Sequence, residues 1–176
     1  EKNLEEYALF VDRHRILVFN YKIANLYFGA GKYSTSIDYL LKIINGPIDL
    51  RIDLQCYARL LHLMAHFEMG NDAIIESLTK SVFRFMSRME NLTVVEEEMF
   101  RFLRQSFHFN SKQLQPAFES LLERVKKYQV NRFETRAFAY LDIISWLESK
   151  IKKVAVQDII RERYLQKQKN KKAAAE

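Results

Sequence analysis

The stretch FGAGKYST, Phe28 to Thr35, lies between two segments in which apolar residues recur at intervals of three and four. These residues are Ile16, Phe19, Ile23, Leu26 and Tyr27 before it and Ile37, Leu40, Leu41 and Ile44 after it. Such spacing indicates two amphipathic helices. Because a glycine just past the last helical turn supplies the left-handed conformation that closes a helix, the stretch predicts an elbow between two antiparallel helices.

The same stretch also invites a phosphate-binding interpretation, because it combines glycines, a lysine and hydroxyl groups. A phosphate loop requires Gly-x-x-x-x-Gly-Lys-Ser/Thr. Here Tyr33 follows Gly31 and Lys32, and Leu26 stands where the first glycine belongs. A dinucleotide-binding loop would need a glycine where Ser34 stands. Both patterns fail, so we predict that this stretch binds no nucleotide.

Composition favours an all-α fold. The chain has 176 residues, 48% of them hydrophobic, with only four glycines and two prolines. So few turn-forming residues favour long helices joined by short connections over a sheet with many tight turns. No 18 apolar residues are consecutive, so we expect no membrane span. Cys56 is the only cysteine, which favours a cytoplasmic location.

The elbow recurs along the chain. Gly70 follows Gly31 by 39 residues, and Asn110 and then Lys150 follow at further intervals of 40. A period of this size is typical of stacked helix pairs. It predicts a repeat domain over 13–168 with four pairs: 13–29 and 33–45, 51–69 and 73–90, 94–109 and 112–129, and 133–149 and 152–168. We interpret 1–12 as the end of a preceding helix or cap, and 169–176 as a disordered or fraying basic tail.

The segment from Phe19 to Ile48 resembles a tetratricopeptide repeat. The residues that carry the resemblance are Ile23, Ala24, Tyr27, Gly31, Tyr33 and Ser36. The whole chain also resembles helical-repeat regions of large uncharacterised bacterial proteins. The resemblance implies an α-solenoid with right-handed superhelical stacking, in which Ala24 and Ser36 are small because the helices cross closely there. A period near 40 leaves HEAT-like or armadillo-like pairs as the structural alternative.

In the tetratricopeptide architecture, the first helix of each pair lines a concave groove that holds a peptide or helix of another protein. The residues that we predict to contact a partner are Val18, Tyr21, Asn25, Phe28, Tyr57, Leu60 and Met64, together with Arg101 and Arg104. The expected function is therefore protein–protein interaction, with a partner whose identity the residues do not reveal. Apolar Leu4, Phe10 and Val11 suggest that further repeats or another domain precede residue 1.

A nucleic-acid-binding regulator is the alternative function. The net charge of +6 arises from Lys150 onward, where nine basic residues face three acidic ones, while residues 1–149 are neutral overall. Lys80, Arg84 and Arg88 form a basic ridge, which Arg101 and Arg104 extend on the next helix. A solvated helix face and a fraying helix end explain these charges better than a binding surface does, so we do not expect nucleic acid to be the partner.

The sequence contains no set of residues that predicts catalysis, a metal or a cofactor. His62 and His66 have the spacing of paired metal ligands on a helix, but no third ligand follows from the pattern. Cys56 has apolar neighbours, which favours a buried structural thiol. Glu96 to Glu98 splay around a helix and are expected to interact with its dipole instead of converging on one ion. We therefore predict a non-enzymatic protein.

Overall fold

The computed structural model describes residues 12–48, 51–106, 108–131 and 134–173. Within these residues the chain forms nine α-helices and no β-strand, which confirms the predicted all-α class. The helices are α1 (Arg13–Gly29), α2 (Tyr33–Ile44), α3 (Ile52–Glu68), α4 (Asp72–Arg88), α5 (Val94–Ser106), α6 (Ser111–Lys126), α7 (Thr135–Tyr140), α8 (Ile143–Lys152) and α9 (Val156–Ala173). None of them is both long and apolar enough to cross a lipid bilayer.

Both glycine elbows form as predicted. Gly31 has φ of 73° and Gly70 has φ of 67°, in the left-handed region where a Cβ atom introduces strain. At the first elbow, the amide of Lys32 donates to the Tyr27 carbonyl at 2.9 Å. At the second, the amide of Asn71 donates to the His66 carbonyl at 3.2 Å. These bonds satisfy carbonyl groups that a helix end leaves without a partner inside the helix.

Small residues bring α1 and α2 together. The Ser36 hydroxyl donates to the Ala24 carbonyl at 2.8 Å, and both residues are fully buried. The bond links the backbone of one helix to a side chain of the other, and only small side chains permit that approach. The pair is the close crossing that the sequence predicts at these two positions.

The later turns differ from the predicted elbows. Asn110 is extended, with φ of −80° and ψ of 168°, and its side chain caps α6 by accepting from the amides of Lys112 and Gln113, each at 3.0 Å. The elbow expected at Lys150 is wrong, because α8 continues to Lys152 and the left-handed residue is Lys153, with φ of 57°. Sequence spacing located these turns within a few residues but not their geometry.

The predicted helix over 133–149 is divided into α7 and α8. Leu141 is extended, with φ of −124° and ψ of 126°. The Asp142 carboxylate then accepts from the amide of Ser145 at 3.1 Å and starts a new helix. An aspartate at an N-cap offers the backbone an alternative to continuing the helix, so this break has a local chemical cause.

Helix packing follows the chain order over the first six helices. Each helix from α1 to α6 packs against the next, α6 then packs against α8, and α8 packs against α9. The contact between α1 and α3 bridges neighbouring pairs. Residues 169–173 of the predicted tail belong to α9. Residues 1–11, including the segment assigned to a preceding helix or cap and its apolar Leu4, Phe10 and Val11, lie outside the described residues, as do 174–176.

Candidate functional site

Most of the predicted groove residues lie in the core. Tyr57, Leu60 and Met64 of α3 are no more than 1% exposed, and Tyr21 and Phe28 of α1 are each 5% exposed. The helix face that the sequence assigned to a groove is therefore buried against other helices. Because these side chains expose almost no surface, a partner would not reach them in this arrangement of helices.

Tyr140, the last residue of α7, contacts the predicted groove residues directly. Its ring stacks on Tyr57 with centroids 4.6 Å apart, and its carbonyl accepts from the Tyr21 hydroxyl at 3.0 Å. Its hydroxyl donates to Asp53 and accepts from Arg51 at 2.8 Å. The first helix of the predicted fourth pair therefore covers part of the surface expected to hold a partner.

Asn25 and Val18 are half-buried and lie on either side of Tyr21 on α1. The Asn25 amide nitrogen donates to the Tyr21 carbonyl of its own helix at 2.9 Å, so one of its polar groups is already engaged. Val18 lies one turn nearer the start of α1 and opens into a cleft. Of the residues predicted on α1 and α3, Val18 is the one that lines this cleft.

A partly open cleft lies beside the first half of α1, and we call it the α1 cleft. Its volume is about 280 Å³, and it is lined by His14, Arg15, Val18, Phe19, Lys22 and Arg51. Phe19 is 45% exposed although it is a large apolar residue. The cleft thus combines an apolar centre with several basic groups. The sequence predicted only Val18 as a contact residue. The basic residues at the start of α1 and the position of Phe19 in the apolar pattern were signals that could have indicated the rest of the cleft.

The basic groups of the α1 cleft differ in how they are held. The guanidinium of Arg51 donates to Asp53 through Nε at 2.9 Å and through Nη2 at 2.8 Å. This hydrogen bonding holds the pKa of the Asp53 carboxyl well below its usual range. Arg15 and Lys22 are exposed, and neither forms an ion pair with any residue in the described ranges. Arg51 is therefore fixed by its neighbours, whereas Arg15 and Lys22 face solvent.

Two of the five cations in the basic ridge are paired with carboxylates. Arg101 pairs with Glu98 at 2.6 Å, and Lys80 pairs with Glu76 at 2.7 Å. The Arg104 guanidinium lies 5.5 Å from the centre of the Phe83 ring. Arg101 and Arg104 are exposed as predicted, on α5 and away from the residues of the α1 cleft. The ridge consequently offers less free positive charge than its sequence indicates.

Two carboxylates, one of them distant in sequence, cap the start of α5. Glu96 accepts from the backbone amide of Thr93 at 2.7 Å and from the Tyr57 hydroxyl at 2.9 Å. Glu134 accepts from the amides of Val94 at 3.3 Å and Val95 at 3.1 Å. Both carboxylates lie at the positive end of the helix dipole, where negative charge is stabilising. The dipole role predicted for the acidic cluster is confirmed for Glu96, whereas Glu134 was missed.

Replacing Glu134 with alanine is expected to lower the unfolding free energy by about 1–2 kcal/mol, because two helix-start amides lose their acceptor. Glutamine retains one acceptor oxygen and should cost less. Urea denaturation followed by circular dichroism measures both. The matched control is Glu97→Ala, which removes an exposed carboxylate from the first turn of α5. An effect of Glu134→Ala no larger than that of Glu97→Ala would contradict the capping role.

His62 and His66 form a hydrogen-bonded pair on α3. Their Nε2 atoms are 3.2 Å apart, and the Asn71 side-chain nitrogen lies 2.9 Å from Nδ1 of His66. The pKa of His62 is lowered to about 4, mainly by burial and to a smaller extent by the nearby charges of His66 and Arg59. In the described part of the chain, no group of three or more His, Cys, Asp or Glu side chains is arranged to hold a metal ion.

Because folding lowers the pKa of His62, the unfolded chain binds more protons than the folded one between about pH 4 and about pH 6.5. The folded state therefore keeps its full stability with respect to His62 above that range and loses stability as the pH falls through it. From about pH 7 to about pH 4.5, we expect the wild type to lose about 2 kcal/mol more stability than His62→Gln. Urea denaturation across this range measures the difference. His108→Gln, at an exposed position, should retain the wild-type pH dependence, and a parallel profile for His62→Gln would refute the prediction.

Cys56 is buried within α3, in agreement with its predicted structural role. Burial raises the pKa of its thiol to about 11. Since the thiolate is the reactive form of cysteine, this environment suppresses nucleophilic chemistry at neutral pH.

Similarity to known proteins gives no function for the residues of the α1 cleft. The cleft is defined by its lining residues, with Val18 and Phe19 between Arg15 and Lys22 along α1 and with Arg51 from a separate segment. No family model matches the chain, and no curated protein or solved structure is significantly similar to it.

Proposed function

We propose that this protein is a non-enzymatic scaffold for protein–protein interaction that holds a peptide or helix of a partner. The proposed architecture is a tetratricopeptide-like α-solenoid of about four antiparallel helix pairs with right-handed superhelical stacking. Its support is the packing of successive helices from α1 to α6 and the glycine turns at Gly31 and Gly70. HEAT-like pairing is the alternative within the same class. A cytoplasmic location is part of the proposal, on the basis of the single Cys56.

The observation that carries this proposal is the α1 cleft at Val18. Tyr140 covers the neighbouring Tyr21 and Tyr57, whereas Val18 and Phe19 in the first half of α1 line an open cleft. An exposed phenylalanine in a concave site is the kind of residue that anchors protein interfaces. We therefore propose that the partner contacts Val18 and Phe19, and that the deeper predicted residues support the cleft from within the core.

Site-specific photo-crosslinking tests the scaffold function. A photoreactive phenylalanine derivative replaces Phe19 in one variant and Val130 in another, where Val130 is 89% exposed and lies outside the cleft. Irradiation in an extract of the source organism should give a discrete protein adduct from position 19 and not from position 130. Val18→Arg, which fills the cleft, should abolish the adduct without changing the far-ultraviolet circular dichroism. Equal adducts from both positions, or none, would refute the proposal.

A nucleic-acid-binding role is the second candidate, and the C-terminal half of α9 is the observation that favours it. Lys167 and Lys169 are exposed on this helix, where no acidic residue follows Glu162 within the described residues. Contacts with phosphate groups would make affinity fall steeply with salt. Fluorescence anisotropy with duplex and single-stranded oligonucleotides measures this dependence. No binding at low salt, or an unchanged affinity in Lys167→Glu/Lys169→Glu, would remove the role.

A further inference from the structure

We infer that the α1 cleft binds an acidic amphipathic segment of a partner protein, with its apolar side chains on Val18 and Phe19 and its carboxylates beside Arg15 and Lys22. This inference rests on the proposed scaffold function and specifies the chemistry of its partner. It follows from the arrangement of residues on α1, from the charge at the start of this helix, and from the neighbouring acidic groups.

The basic and apolar residues of the cleft lie on one face of α1. Arg15, Val18, Phe19 and Lys22 follow one another at intervals of three, one and three residues, so they occupy one face of the helix. The two basic residues bracket the apolar pair and are separated by about 10 Å along the helix axis. A partner helix with apolar residues at its centre and carboxylates one turn before and after them matches this face.

The start of α1 is rich in positive charge. The helix begins with Arg13, His14 and Arg15 and has no acidic residue in its first turn. The start of a helix carries a partial positive charge, so cationic side chains there are repelled by the helix dipole. A carboxylate from a partner would relieve this repulsion as well as pair with Arg15. The Asp12 carboxylate at the N-cap offsets part of this positive charge, and the cationic first turn adds to the preference for a negatively charged ligand.

Among the described residues, the acidic groups near the cleft already have partners. The Asp12 carboxylate accepts from the backbone amide of His14 at 3.4 Å, in the N-cap position. Asp53 accepts from Arg51 at 2.8 Å and from the Tyr140 hydroxyl. Neither carboxylate pairs with Arg15 or Lys22 within the described residues. No carboxylate of the described residues is paired with either exposed cation, so both can pair with carboxylates of a partner.

The apolar centre favours a protein segment over a nucleic acid. Val18 and Phe19 lie between the cations, where a duplex phosphate backbone offers no apolar group to cover them. An amphipathic segment satisfies both parts of the site, because burial of apolar area supplies affinity and charge complementarity supplies specificity. Single-stranded nucleic acid, which can stack bases on an aromatic ring, is the competing occupant and is included in the test.

Fluorescence anisotropy with the full chain tests this inference. The probe is a labelled helical peptide with a central leucine pair and glutamates one turn away on each side. A matched peptide carries lysines in place of the glutamates, and a second carries alanines in place of the leucines. We expect the acidic probe to bind at least about tenfold more tightly than either matched peptide, and more weakly as salt rises. Equal binding of the lysine peptide would overturn the inference.

Variants of the chain test the residues. Arg15→Glu/Lys22→Glu and Phe19→Ala should each weaken probe binding by about tenfold or more. The control is Lys112→Glu/Lys127→Glu, which changes the net charge equally at exposed positions outside the cleft. Circular dichroism verifies folding, and Arg15→Gln/Lys22→Gln replaces the reversal if that variant unfolds. An equal loss in the control, or displacement of the probe by single-stranded oligonucleotide at similar concentration, would refute the inference.

The outcome also separates this inference from the scaffold proposal. If the acidic probe does not bind but position 19 still forms a discrete adduct, the partner chemistry is wrong and the scaffold function stands. If neither the probe nor an adduct is observed, both fall. If Arg15→Glu/Lys22→Glu lowers the unfolding free energy and leaves probe binding unchanged, the two cations serve the chain itself, and the inference is overturned.

Discussion

Replacing Trp146 with alanine is expected to lower the unfolding free energy by about 3–5 kcal/mol, the largest effect among our predictions. Trp146 is 1% exposed, and its ring lies 6.1 Å from Phe67 and 5.8 Å from Phe118, between ring centres. Its indole N–H donates to the Glu68 carboxylate at 2.6 Å. Alanine therefore leaves a large cavity and also removes a donor from a carboxylate whose side chain is almost fully buried.

Urea denaturation monitored by far-ultraviolet circular dichroism measures this loss, because Trp146 is the only tryptophan and its fluorescence disappears in the variant. The matched control is Trp146→Phe, which keeps most of the aromatic volume and loses the indole N–H. It should cost about 1–3 kcal/mol, since Lys150 and Tyr33 still donate to Glu68. A loss below about 1 kcal/mol for Trp146→Ala would show that α8 is not packed as described.

Replacing Tyr140 with alanine is expected to cost about 3 kcal/mol. The ring of Tyr140 stacks on Tyr57 and meets the edge of Tyr21 at 5.9 Å between centres. Its hydroxyl also bonds to Asp53 and Arg51. One side chain thus joins the predicted fourth pair to the first and second pairs. Its removal should loosen α7 from α1 and α3, in addition to the lost contacts.

Two measurements distinguish this joining role from ordinary packing. Tyr140→Phe keeps the ring contacts and loses the hydroxyl bonds, so it should cost only about 1 kcal/mol. Tyr140→Ala should also bind more of an apolar fluorescent dye under native conditions than the wild type, because Tyr21 and Tyr57 become exposed. Unchanged dye binding together with a loss near that of Tyr140→Phe would contradict the proposed coverage of these two residues.

Local features of the fold were predictable from the sequence. The bounds predicted for α1, residues 13–29, agree with the structure. Gly31 and Gly70 close their helices because few other residues adopt positive φ without strain. The close contact at Ala24 and Ser36 follows from side-chain size. Helix periodicity, capping and glycine conformation each depend on a few neighbouring residues, so a single sequence contains the information that determines them.

The candidate site was less predictable. Tyr21 and Tyr57 were predicted to line a groove for a partner, but they are covered by Tyr140, which is 119 residues from Tyr21 along the chain. The α1 cleft likewise requires Arg51, which a separate segment brings beside Val18 and Phe19. Neither relation leaves a periodic signal in the sequence.

The sequence by itself determined that the chain is helical, where its first turns lie and which apolar residues recur at helical spacing. Only the tertiary structure decided which groups these residues contact. Tyr140 of α7 covers Tyr21 and Tyr57, Glu134 caps the start of α5, and Phe19 remains partly exposed to solvent. The physical reason is that apolar periodicity reports the need for burial and not the identity of the neighbour. That neighbour is selected by packing among segments far apart in the chain.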